Sequence, residues 1–392
     1  MKSVHHNINN LIDTGINKWV PLIDAGANNS TSLVDAGANN YISPVDPEST
    51  LHRTGFHSLP VELVQKIFSA GWKDDQFNRI GQRVYTTPFE VIVSHVSAHW
   101  RDIALDTPLL WSAIRFTPQS YKARIFAYIA RSKERPLSIV IGDIGSMHME
   151  RAISTLHLCF HRLRKIRVEA MYQQDLFRFL TLLDNYSLPL LEGLEAGGSC
   201  SRRVSDSARM QPCVMKGKMP SLTSLLFDNF QMPVFCVNSQ IKSLHLHSFT
   251  SKPISINHTI DILTRCSDSL EELCTNTCHF SRDLGSCNVV ELQLPAMRRL
   301  TLVVPPAGTS LLNALMLFRC PRLDEVTLIN TDREAVYLFI EICSHYNFFV
   351  SVETLVMLQS YLDVPMIGLL FSVMPKLSAL HVSGHEFHRQ NQ

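Results

Sequence analysis

No run of apolar residues in this chain approaches the roughly 18 that a membrane-spanning helix needs. The opening MKSVHHNINN leads into a polar, Asn-rich stretch rather than an apolar segment, so no secretory signal is expected. Cysteine is missing from the whole first part, since all ten lie after residue 158. They are expected as reduced thiols of a cytoplasmic or nuclear protein. An excess of one charge is also lacking. A net charge of +1 gives no global electrostatic footprint for nucleic acid. Two local basic runs exist, one of Lys122, Arg124, Arg131, Lys133 and Arg135, the other of Arg162, Arg164, Lys165 and Arg167. A solvated helix face accounts for them more simply than a phosphate site.

Catalytic signatures are absent too. There is no G-x-S-x-G, no P-loop, no G-x-G-x-x-G and no H-E-x-x-H. The histidines are scattered. His95 and His99 would stand one turn apart on a continuous helix, a spacing that can hold a metal, but a solvated face is the plainer reading. Cys274-x3-Cys278-His279 has a faint zinc look. No second ligand pair of suitable spacing accompanies it, and Cys274 falls at an expected core position of the repeat described below. We therefore expect no catalytic residue, no cofactor and no metal site, and a protein that is not an enzyme.

What is present is modular. A chain of 392 residues exceeds one typical core, and 45% hydrophobic content supports a folded body. The front repeats with a period of 11: LIDTGINKWVP from Leu11, LIDAGANNSTS from Leu22, LVDAGANNYIS from Leu33. Gly15, Gly26, Gly37 and the Asn-Asn pairs argue against a long helix there. The L-x-D-A-G-A-N phrase resembles the end of an ankyrin repeat, but at a third of the necessary length. Residues 1–50 are expected as a flexible segment ending in the proline-bearing linker Ser43–Thr50.

The next segment reads SLPVELVQKIF from Ser58, then a polar stretch, then VSHVSAHWRDIALDTPLLWSAIRF up to Phe116. Pro60 suits a first helical turn, where its missing N–H costs nothing, and Glu62 favours the positive helix end. Leu59, Leu63 and Ile67 follow at i, i+4, i+8, with Val64 and Phe68 widening the stripe. Gly71 is a plausible stop. Val91, Ile92, Val96, Trp100, Ile103 and Ala104 suggest one or two further short helices closing a three-helix unit. The polar stretch between, Gly71 to Thr87, reads as an inserted loop.

These residues resemble an F-box-like domain of the kind common in fungal proteins. The family pattern, roughly L-P-x-E-L-x-x-x-I-F, V-S-x-x-W-R-x-I-A and P-x-L-W, is met by Leu59, Pro60, Glu62, Leu63, Ile67, Phe68, Val96, Ser97, Trp100, Arg101, Ile103, Ala104, Pro108, Leu110 and Trp111. The resemblance implies binding to the Skp-type adaptor of a cullin ubiquitin ligase. It assigns adaptor contact to Leu59, Pro60, Leu63, Ile67, Val96 and Trp100. Some of these side chains should then stay exposed in the isolated chain.

After residue 136 a short apolar phrase recurs, as in LPLLEGLEA, MPSLTSLLF, LPAMRRLTL, CPRLDEVTL and MPKLSALHV. Its central residues are Ile139, Ile166, Leu194, Leu225, Leu244, Leu273, Leu300, Val326, Leu355 and Leu380, at a mean interval of about 27. Alternation within L-x-x-L-x-L predicts one strand face turned into a core. Helical spacing recurs between strands, in segments beginning at Asp175, Ile260, Leu311 and Val336. The body resembles degenerate leucine-rich repeats of F-box proteins, with Asn330 the nearest match to the repeat's usual Asn. The 19-residue step from Leu225 to Leu244 is short for such a repeat.

The expected fold is α+β and multidomain. A small three-helix F-box-like domain (51–116) is followed by a connecting helix (117–135) and an α/β leucine-rich-repeat-like solenoid with a parallel sheet (136–392). The resemblance implies a non-catalytic substrate receptor, with a protein substrate on exposed strand positions such as Arg167, Glu195, His245, His247, Thr301, Thr327 and His381. The alternative is a repeat scaffold outside any ligase. No contact with nucleic acid or membrane is expected.

Overall fold

The computed structural model describes residues 59–79, 87–117, 122–142, 146–169, 173–197, 219–228, 240–247, 256–275, 291–304, 315, 318–346 and 349–383. The 11-residue repeats, the Ser43–Thr50 linker, Cys278 and His279 lie outside these residues. The chain divides into two compact units, Met1–Leu110 and Trp111–Gln392.

In the first unit, helix α1 spans Val61–Arg79, α2 Phe89–Val96 and α3 Ala98–Leu105. The Pro60 carbonyl accepts the first helical N–H groups, from Leu63 and Val64. The stripe then splits into two rows, each at i, i+4. Val64 and Phe68 are buried, and with Val93, Ile103 and Ala104 they make the core, while Leu63 and Ile67 point outward. Phe68 meets the Trp100 ring edge-on at 5.1 Å between centroids. Ser97 breaks α2 from α3. Its backbone is extended (φ −157°, ψ 167°), and its hydroxyl accepts the Trp100 N–H at 3.1 Å, capping α3.

Gly71 does not stop α1. The helix continues through the polar stretch to Arg79, so the expected inserted loop is helical over its first half. Gly71 is there for close approach. A Cβ on it would stand 2.6 Å from the tip of the Phe89 ring. The glycine lets α2 begin against α1, at the usual cost of about 1 kcal/mol for glycine inside a helix. Gly71→Val should destabilise the unit by roughly 1–3 kcal/mol through overpacking. Phe89→Ala in the same chain should return part of that loss, because the ring is what the valine meets. A thermal-melt double-mutant cycle with zero coupling would contradict this contact.

The second unit is built on an eleven-stranded parallel sheet. Its strands are β1 Ala113–Phe116, β2 Leu137–Gly142, β3 Leu163–Glu169, β4 Gly193–Gly197, β5 Ser224–Asp228, β6 Ser243–His247, β7 Glu272–Thr275, β9 Arg299–Val303, β11 Glu325–Ile329, β12 Thr354–Leu358 and β13 Ala379–Ser383, neighbours in chain order. The short β8 (Leu292–Gln293) and β10 (Phe318–Arg319) pair separately.

The ten central residues read from the sequence form one continuous register row. Ile139 lies beside Ile166, then Leu194, Leu225, Leu244, Leu273, Leu300, Val326, Leu355 and Leu380. The short step does not interrupt it, since Leu225 pairs directly with Leu244. The residue three places earlier is buried as well in nine of the ten phrases: Leu163, Leu191, Leu222, Ile241, Leu270, Met297, Leu323, Val352 and Leu377. A tight turn delivers the chain into the strand, as in Leu222 N–H to the Met219 carbonyl and Leu323 N–H to the Cys320 carbonyl. Serine hydroxyls fasten successive turns: Ser221 donates to the Pro189 carbonyl, Ser269 to Ile241 and Ser351 to Leu323. After the strands, Asn330 (φ 60°) and Gln359 (φ 50°) adopt the left-handed conformation, in which asparagine is the less strained.

Among the described residues, helices occupy six of the ten connections between neighbouring strands of the main sheet: α4 Lys122–Arg131, α5 Ser146–Leu156, α6 Gln173–Leu183, α7 Ile256–Cys266, α8 Arg333–Tyr346 and α9 Val364–Val373. The segments expected as helical from Asp175, Ile260 and Val336 fall in α6, α7 and α8. The segment from Leu311 differs. Phe318–Arg319 near its end is strand β10, Leu315 and Cys320 are also described, and the rest of it, 311–314 and 316–317, lies outside the described residues.

The sheet also starts earlier than residue 136. Ala113–Phe116, assigned from the sequence to the helical domain, is its first strand and pairs with β2, Ile114 beside Ile139. Trp111, Ile114 and Phe116, all buried, fill the three apolar places of an L-x-x-L-x-L phrase. Aromatic residues at two of the three places disguise it. The tryptophan that ends the F-box-like pattern is thus also the lead residue of the first sheet phrase, packed edge-on against Tyr128 and under the Arg131 guanidinium.

Candidate interaction surfaces

Two faces carry the residues singled out from the sequence. The first belongs to the three-helix unit. Large apolar side chains there are open to solvent: Val61, Leu63 at 44%, Ile67 at 45%, Ile92 at 52% and Val96 at 58%. Pro60 is exposed, whereas Leu59 and Trp100 are half-buried. Of the six residues assigned to adaptor contact, Leu63, Ile67 and Val96 are large exposed hydrophobics. Trp100 is partly spent on the core through Phe68. Val61 and Ile92 extend the exposed set beyond the family pattern. Their signal was helical phase: Ile92 lies four residues before Val96, and the core residue Val93 lies one residue on.

His95 and His99 do not share a helix. The break at Ser97 puts the first on α2 and the second on α3, and they form no ligand cluster among the described residues.

The second face is the open side of the sheet. Alternation turns every second strand residue away from the helices, and register aligns them. Arg167, Glu195, Leu226, His245, Cys274, Thr301, Thr327, Val356 and His381 follow one another across neighbouring strands. Cys274 is therefore not a core position. It sits on the open face between His245 and Thr301, and is buried by its neighbours there, while Leu273 takes the core place.

Polar contacts knit this face. Arg167 lies within 3.5 Å of Glu169 and 3.7 Å of Glu195. Arg299 reaches one oxygen of Glu272 at 3.1 Å, and the Ser243 hydroxyl donates to the same oxygen at 3.3 Å. The second basic run is accordingly not a helix face. Arg164, Lys165 and Arg167 lie on β3, Arg164 pairs with Glu192, and Arg162 is buried with its guanidinium donating to the Ile129 and Arg135 carbonyls.

Around His245 the face is drier. Burial holds the His245 ring below its usual range, partly offset by Glu272 and Glu195. Burial and the neighbouring His245 push His247 down to about 4. The His245 Nε2 lies 3.1 Å from the Ser243 hydroxyl. The His247 Nε2 lies 3.1 Å from the Cys274 Sγ. Burial, aided by Glu272, pushes that thiol up to about 12.

The other described cysteines, Cys159, Cys266, Cys320 and Cys343, are buried, unbridged and shifted upward by burial. A thiolate is the reactive form of cysteine, so none of the four is set up as a nucleophile. Iodoacetamide at pH 8 should leave them unlabelled in the native chain and label them in urea. Peptide mapping that finds native-state labelling at any of them would contradict the burial.

No protein-family model matches the chain, and no curated protein matches it by sequence. Among solved structures, a protein from Bacteroides fragilis aligns over 66% of this chain and 77% of its own, at 14% identity and a TM-score of 0.41. A leucine-rich-repeat protein from Leptospira interrogans aligns over 64% and 68%, at 10% identity and a TM-score of 0.27. At these scores neither likeness adds to what the sheet register itself defines. That register, with L-x-x-L-x-L strands and helices in six of the ten connections among the described residues, makes the second unit a leucine-rich-repeat-like array. Such arrays suit protein interaction, because stacked strands present one long continuous surface.

Proposed function

We propose that the chain is a non-catalytic substrate receptor of a cullin-type ubiquitin ligase. The three-helix unit docks a Skp-type adaptor as an F-box-like domain, and the open sheet face holds a protein substrate. The observation that carries this reading is the outward row Leu63, Ile67, Ile92 and Val96 on helices whose inward row already fills a core. An exposed apolar set on so small a unit marks an interaction site. Burying each of these side chains is worth roughly 1.5–3 kcal/mol, and a few such anchors dominate an interface. The match of Leu59-Pro60, Val96-Ser97 and Trp100-Arg101 to the F-box-like pattern names the partner class. The reading places the protein in the cytoplasm or nucleus.

Tagged chain expressed in a eukaryotic cell should co-purify with the Skp-type adaptor and cullin. Recovery of neither would overturn the ligase assignment and leave the array as a stand-alone interaction scaffold.

A further inference from the structure

The two histidines and the thiol on the open sheet face come from two adjacent strands. His245 and His247 alternate on β6, and Cys274 is the lateral partner of His245 on β7. Their ligand atoms all lie within 4.8 Å of one another, and His247 Nε2 is 3.1 Å from Sγ. Tetrahedral zinc, with bonds of about 2.0–2.1 Å to nitrogen and 2.3 Å to sulfur, sets neighbouring ligand atoms about 3.3–3.8 Å apart. Closing the cluster from within 4.8 Å to that spacing asks for about 1 Å of side-chain movement, with the three Cα positions held by the paired strands. A fourth ligand is close by. Glu272 has one oxygen occupied by Arg299 and Ser243, while the other lies 3.8 Å from His245 Nε2.

We propose that His245, His247 and Cys274 form a zinc site on the sheet face, with Glu272 or a water in the fourth position. Binding breaks the Cys274 S–H bond, releases that proton to solvent and forms the Zn–S bond. No electron is transferred. Each imidazole binds through the lone pair of one ring nitrogen. The mixed N/S ligand set favours zinc over magnesium or calcium, which take oxygen. The site differs from the Cys274-x3-Cys278-His279 pattern of the sequence and uses neither Cys278 nor His279. It is also independent of the helical docking face.

The test uses the full chain, reduced and stripped of metal, with Zn2+ and Co2+ as probes. One equivalent of zinc should remain bound through gel filtration, and Co2+ should give a thiolate-to-cobalt charge-transfer band. Cys274→Ala should abolish the band. His247→Gln should weaken zinc binding by more than the 10–100-fold that loss of an outer-shell partner costs. Cys266→Ser and Ile67→Asp should keep both signals. A wild-type chain that is folded by circular dichroism but binds no zinc overturns the proposal, leaving a plain His247–Cys274 hydrogen bond. So does a charge-transfer band that survives in Cys274→Ala. The wild-type measurement decides the matter even where a variant fails to fold.

Discussion

Ile67→Asp is expected to abolish capture of the Skp-type adaptor without unfolding the chain. Ile67 is 45% exposed, so a carboxylate there stays hydrated in the free protein and costs the fold little. In the docked state the same carboxylate would be buried in an apolar interface with its hydration stripped. The lost isoleucine burial, about 1.5–3 kcal/mol, adds to a polar burial cost of similar size. A total near 4 kcal/mol lowers affinity about 1,000-fold, enough to empty a pull-down. Leu63→Asp should behave alike. Phe68→Asp, one residue from Ile67 but in the core, should instead unfold the helical unit. Adaptor capture that survives both Ile67→Asp and Leu63→Asp would sink the docking assignment.

Leu300→Ala should cost the second unit about 2–5 kcal/mol, whereas Thr301→Ala should cost about 1 kcal/mol or less. The two residues are adjacent in sequence and lie on opposite faces of β9. Leu300 is fully buried in the central row between Leu273 and Val326. Truncating it removes apolar contact and leaves a cavity that a sheet paired on both sides cannot collapse to fill. Thr301 is half-buried on the open face. Against a total stability of about 5–15 kcal/mol, the first loss is large and the second small. Urea denaturation of the two variants reads the difference directly. Equal losses would mean that the strand is out of the register described.

The array was legible because its signal is redundant. Each L-x-x-L-x-L phrase is weak alone, yet ten of them fix a row, and the row emerged in register with Ile114 added. The three-helix unit was legible through its apolar spacing, but not which apolar row faces inward. Leu63 and Val64 are adjacent and equally hydrophobic, and only packing separates them. Gly71 misled because glycine serves a stop and a close approach equally well, and the partner ring of Phe89 lies 18 residues on. Cys274 misled because one side chain cannot say which face of a strand it takes. Its neighbour Leu273 settles that only once the register with Leu244 is known. The His245–His247–Cys274 grouping spans a crossover, so no local spacing announces it.

The unbroken register row has one further consequence. Leu194 and Leu225 are 31 residues apart, Leu225 and Leu244 only 19, yet each pair stands side by side on adjoining strands. Connection length is thus decoupled from sheet geometry. A difference of 12 residues between those two connections displaces no lateral neighbour, so the surface grid of side chains takes its addresses from the strands and not from what joins them.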